Sequence, residues 1–110
     1  MSKYHNIKTH GFDSRAEYAR WLELKLLEKA GKIRDLQKQV PFPLEVNGAL
    51  ICTYIADFTY ITVPQERYVV EDVKGVRTAI YRLKKKLMKA LEDVDIKEVS
   101  AKDLRIRVSR

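Results

Sequence analysis

Apolar positions recur along the chain with two different periods, and the changes of period mark its elements. From Ser14 to about Ala30, the residues Ala19, Leu22, Leu26 and Ala30 share one face, with Trp21 and Leu27 beside them. That spacing predicts an amphipathic helix turned toward a core. Ser14 followed three residues later by Glu17 has the spacing of a capping box, and Gly31 is a natural stop. Three strands are predicted next: one within Ile33–Leu44, one over Leu50–Val63 and one over Arg67–Lys74. Pro41 and Pro43 make the first an edge strand or end it there. Val46-Asn47-Gly48 and Pro64-Gln65-Glu66 are the turns between them. A second helix runs from Thr78, a plausible N-cap, to about Leu91, with Ile80, Leu83, Leu87 and Leu91 as its buried stripe. A short strand, Ile96–Val99, follows. The order α-β-β-β-α-β predicts an α/β-type (α+β) domain: a small mixed sheet with a helix on each face.

The length of 110 residues allows one domain, with residues 1–11 as a basic arm and 100–110 as a basic tail. A single cysteine, Cys52, excludes an internal disulfide and a cysteine-based zinc site. Cys52 and Trp21 read as core, and His5 and His10 as surface residues. No apolar run approaches the length of a membrane span, and the first ten residues lack the apolar segment of a signal peptide. The expectation is a soluble cytoplasmic protein. Lys plus Arg outnumber Asp plus Glu by 22 to 15, a net +7. Between Val73 and Leu91 there is no acid but seven cations: Lys74, Arg77, Arg82, Lys84, Lys85, Lys86 and Lys89. These equal the whole net charge, so the excess is local, the pattern of a polyanion-binding surface. A solvated helix face is the plainer reading.

Asp57 stands inside the apolar run Tyr54–Tyr60. A carboxylate there needs a salt-bridge partner, an opening to water, or a metal. Fifteen residues on comes Val70-Glu71-Asp72-Val73-Lys74. Strand alternation puts Val70, Asp72 and Lys74 on one face and Glu71 on the other. If the second and third strands form a hairpin, Asp57 and Asp72 meet. Two hard oxygen donors with an ammonium two residues on suit Mg²⁺, which keeps waters and takes phosphate oxygens. Lys74 would then orient a water or stabilise charge on phosphorus oxygens. Lys74 paired with Asp72 or Glu71 on a wet strand is the simpler alternative. Glu17 is a third acid, already explained as half of a capping box.

These residues, on this element order, resemble the PD-(D/E)xK nuclease superfamily. The matching stretches are Phe12-Asp13-Ser14-Arg15-Ala16-Glu17, then Ile55-Ala56-Asp57-Phe58, then Val70-Glu71-Asp72-Val73-Lys74-Gly75. More narrowly, the chain looks like a small phage-encoded family known as a domain of unknown function, over about Ser2 to Val99. The resemblance implies a restriction-endonuclease-like fold and a Mg²⁺-dependent DNA endonuclease, with Mn²⁺ as a substitute. It assigns Asp57, Asp72 and Glu17 to the metal and Lys74 to the reaction. Ala56 stands where the naming Pro would be, and Asp72 where Glu is commoner; Glu71 is adjacent, so a register change would exchange the two acids. Gln39 sits where some members carry a strand Gln near the site, or is an exposed strand residue. Arg77, Arg82, Lys84, Lys85, Lys86 and Lys89, with Lys3 and Lys8, are expected on DNA phosphates, and Arg105 and Arg107 as a second basic arm. Branched DNA such as a Holliday junction, cut by a homodimer in phage recombination, is the expected substrate. The rival expectations are a non-catalytic nucleic-acid-binding module that keeps the fold, and an interaction protein with a merely basic surface.

Overall fold

A computed structural model describes residues 11, 12 and 14–102. The predicted Lys3, Lys8, His5, His10, Arg105 and Arg107, and most of the two basic arms, lie outside the described residues. The elements are α1 (Arg15–Lys29), β1 (Ile33–Val46), β2 (Ala49–Thr62), β3 (Tyr68–Lys74), α2 (Ala79–Glu92) and β4 (Lys97–Ser100). Local chemistry explains the ends. The Ser14 hydroxyl accepts the Glu17 N–H at 3.1 Å, and the Thr78 hydroxyl accepts that of Tyr81 at 3.1 Å. Both satisfy a first-turn donor that has no partner within the helix. α1 ends where Gly31 takes φ 77° and Lys32 N–H reaches back to the Leu27 carbonyl. β1 and β2 join through Asn47-Gly48, both with positive φ, the combination a two-residue hairpin requires.

The sheet order is β1-β2-β3-β4, antiparallel except for the parallel β3–β4 pair. β1 is an edge strand, as its prolines predict. It continues through Pro41 and Pro43 to Val46, because an edge leaves one side of the strand free of ladder bonds. β1 and β2 form a long hairpin, and β3 joins β2 only over Phe58–Ile61. Cores lie on both faces of the sheet. Phe12, Ala16, Ala19, Leu24, Phe58 and Tyr60 pack under α1, with Trp21 against them. Leu44, Tyr54, Ala56, Val70, Tyr81 and Met88 pack under α2, with Cys52 at the margin. The result is a single α+β domain with a helix on each face. Among the described residues no helix is long and apolar enough to cross a membrane.

The rotation of both helices differs from the apolar stripes in the sequence. α1 buries Ala16, Ala19 and Leu24, while Leu22 and Leu26 are exposed. α2 buries Tyr81 and Met88, while Ile80, Leu83 and Leu91 are exposed. Polar partners across the sheet account for both turns. Arg20 of α1 must face Glu71 of β3, which is 0% exposed and receives Nε at 2.6 Å, Nη2 at 2.9 Å and the Tyr60 hydroxyl at 2.7 Å. Tyr81 of α2 must face Glu98 of β4, to which its hydroxyl donates at 2.7 Å. A buried carboxylate without its donors is costlier than an exposed leucine.

Candidate metal centre

The β2–β3 ladder stops at the pair Phe58–Glu71, and the candidate site begins one residue beyond it. There the Asp57 carboxylate, through Oδ2, accepts the Val73 N–H at 2.8 Å. A side chain thus takes the backbone donor just past the last ladder pair, which brings Asp57 to β3. Strand alternation holds on β3. Val70 joins the core under α2 and Asp72 faces the same side, while Glu71 is committed to Arg20 and Tyr60 on the α1 side. Asp57 and Asp72 therefore meet, and Glu71 does not enter the site.

The pair is 15 positions apart in sequence and hydrogen-bonded side chain to side chain. Two carboxylates so placed share a proton. Burial, then the bond and charge of Asp72, and then the charge of Glu17 push Asp57 up to about 8, against the lowering effect of the Val73 N–H. Lys74 supplies the nearest positive charge. Its Nζ lies 3.0 Å from Asp72 Oδ2, without hydrogen-bond geometry, and 3.9 Å from the centre of the Tyr81 ring. The Tyr54 hydroxyl is buried beside Asp72, and burial followed by that charge raises its pKa. Asp57, Asp72, Lys74, Tyr54 and Tyr81 line an open cleft of about 270 Å³.

The two carboxylates fit a hard divalent cation, since a proton shared in a water-poor site is what such a cation replaces. Glu17, in the first turn of α1, is near enough for its charge to act on Asp57. Among the described residues, however, no three His, Cys, Asp or Glu side chains gather at metal-ligating spacing. The site is a two-carboxylate one with Glu17 at its border. Gln39 is exposed on β1, at φ 55°, and does not line the cleft.

The titration carries a prediction for the metal-free protein. An aspartate loses its proton near 3.8 when unfolded but near 8 here, so the folded chain binds the extra proton between those values. Stability therefore falls as pH rises from about 4 to about 8 and is level above. In EDTA the contribution of this group is of order 3 kcal/mol, roughly 10 °C in Tm between pH 5 and pH 8. Asp57→Asn flattens that part of the profile in differential scanning calorimetry.

The cations divide into two groups. Arg77 Nη2 lies 2.7 Å from Glu98 Oε1, and Lys85 Nζ lies 3.0 Å from Glu98 Oε2. The bond from Arg77 opposes the effect of burial and, with those from Tyr81 and Lys85, brings Glu98 down to about 2. Lys89 contacts Asp93 and Asp95 at 3.1 and 3.2 Å. Arg82, Lys84 and Lys86 have no ion pair among the described residues, so these three are the uncompensated charges of α2. Glu98 organises the group and went unmarked in the sequence. Its position beside Asp72 follows from the parallel β3–β4 register, which no local pattern reveals. Lys74, Arg77, Arg82 and Ser100 also line a second hollow of about 450 Å³ on the other side of Lys74.

A family model described as "Protein of unknown function (DUF1064)" matches residues 1–107. The chain belongs to the DUF1064 family. Neither the curated proteins nor the solved structures gave a match. Membership in DUF1064 carries no activity with it, so the chemistry of this member rests on the residues of its own cleft.

Proposed function

We propose that this chain is a divalent-metal-dependent endonuclease acting on DNA, with branched DNA as its preferred substrate and a homodimer as its working form. The observation that carries the reading is the Asp57–Asp72 pair beside Lys74. A fold gains no stability from two like charges pressed together in a poorly hydrated cleft. A strongly shifted titratable pair in a cleft is instead a mark of a functional site. Asp57 and Asp72 would hold Mg²⁺ or Mn²⁺, with Glu17 adding charge from α1. Bound there, the cation lowers the pKa of a coordinated water and offsets charge developing on phosphoryl oxygens.

The chain's own groups supply the remaining functions. Lys74 is held by Asp72 and by the Tyr81 ring, so its ammonium is oriented before substrate arrives. From there it donates to the attacking water or to a phosphoryl oxygen. Arg82, Lys84 and Lys86 contact phosphates flanking the cut, and Arg77 is held back by Glu98 until a phosphate competes for it. The test is cleavage of labelled four-way junction, flap, single strand and duplex in Mg²⁺. The expected result is metal-dependent cutting, with paired symmetric nicks in the junction. Salt-sensitive binding with no cutting in Mg²⁺ or Mn²⁺ would leave the non-catalytic module instead.

A further inference from the structure

Two side chains border the carboxylate cleft that neither the core nor the proposed chemistry uses. Ile55 of β2 is 53% exposed, and Ile80, in the first turn of α2, is 67% exposed. Both line the same cleft as Asp57 and Asp72, as does Lys84, one helical turn beyond Ile80. Ile80 is exposed because α2 is rotated to bring Tyr81 to Glu98, so its place on the rim follows from the fold.

An apolar rim around a charged centre constrains what can dock. A regular duplex presents phosphates and sugar edges outward and keeps its base faces stacked. Pressing isoleucine against such a backbone dehydrates polar groups and buries nothing apolar. An unstacked base offers a flat apolar face beside its own phosphate, which matches isoleucines next to Lys74, Lys84 and the carboxylates. Aliphatic side chains are known to occupy opened base steps, and opening costs least where stacking is already interrupted. A second copy of the chain is a poor occupant, since it would cover Asp57 and Asp72 and bring another +7 of charge against the same cations.

We infer that Ile55 and Ile80 pack on a base unstacked at the scissile step, so that the site selects DNA with an interrupted stack over intact duplex. The inference rests on the nuclease reading for the word scissile, but its test does not require cutting. The full chain is mixed, in EDTA and at low salt, with a four-way junction carrying 2-aminopurine at the branch point, and with a duplex of the same sequence. Wild type is expected to raise the 2-aminopurine fluorescence of the junction and leave that of the duplex unchanged. Ile55→Thr with Ile80→Ala keeps strand and helix propensity and opens no cavity, so its Tm should match wild type. That variant is expected to lose the fluorescence rise and about tenfold of the junction-over-duplex affinity ratio. Absence of binding, a wild-type protein that leaves the fluorescence flat, or a double variant that keeps both signals overturns the inference. A separate incubation in Mg²⁺ distinguishes the two readings. No cutting with the fluorescence response intact removes the nuclease reading alone, and cutting with a flat response removes this one alone.

Discussion

Asp72→Asn is expected to reduce Mg²⁺-dependent cleavage by about 10³-fold or more while leaving the protein folded, with Lys74→Ala losing about 10²–10³-fold. The two effects have different origins. Asp72 is one of only two carboxylates in the cleft, so its loss removes half of the proposed cation's anchor. Lys74 is the oriented donor, so its loss leaves the carboxylates in place but nothing to meet the charge on the phosphoryl group. Stability should move the other way from activity in Asp72→Asn. The carboxylate removed is pressed against Asp57, and relieving that repulsion offsets the lost contact with Lys74. DNA binding in EDTA should tighten in the same variant, because a negative charge facing phosphates has gone. Single-turnover cleavage, thermal melts and EDTA binding on one preparation check all three. Cutting by Asp72→Asn at the wild-type rate sinks the assignment.

The second large effect lies on the opposite face of the sheet and should leave the chemistry untouched. Arg20→Ala strands Glu71, which is 0% exposed, with the Tyr60 hydroxyl as its remaining close donor. Removing one partner of a buried ion pair costs about 3–5 kcal/mol, which for a domain of this size is roughly 15 °C or more in Tm. The double variant Arg20→Met with Glu71→Leu should recover most of that loss, because no charge is left buried without a partner. Urea unfolding of the single and double variants measures both quantities. Cleavage per folded molecule should stay near wild type throughout. The two experiments therefore form a crossed pair. Asp72 is expected to carry activity with little stability, and Glu71 to carry stability with little activity. Exchanged results would mean that the acid two residues before Lys74 is not the one that acts.

That crossing addresses a choice the sequence left open, and it shows where local rules suffice. Strand alternation already placed Asp72 with Lys74 and turned Glu71 away, because the period of two is a property of the extended backbone. The same locality made the element order, the Ser14 and Thr78 caps and the Asn47-Gly48 hairpin readable to within a residue or two. Each depends on neighbours only a few positions apart.

The rest depended on partners far along the chain. Arg20 and Glu71 are 51 positions apart, and Tyr81 and Glu98 are 17 apart. Those two polar pairs set how each helix is turned, which the spacing of leucines and isoleucines by itself misassigned. The same pairs decided which cations of α2 stay free and put Ile80 on the rim of the cleft. The early end of the β2–β3 ladder, which lets Asp57 reach Val73 and Asp72, is likewise a matter of how strands diverge. The sequence by itself determined the elements, their ends and the side of the sheet on which each acid of β3 lies, because those follow from backbone geometry over a few residues. Only the tertiary structure decided the helix rotations, the shared proton of Asp57 and Asp72 and the pairing of the cations, because burial and charge act through space between residues that the chain keeps apart.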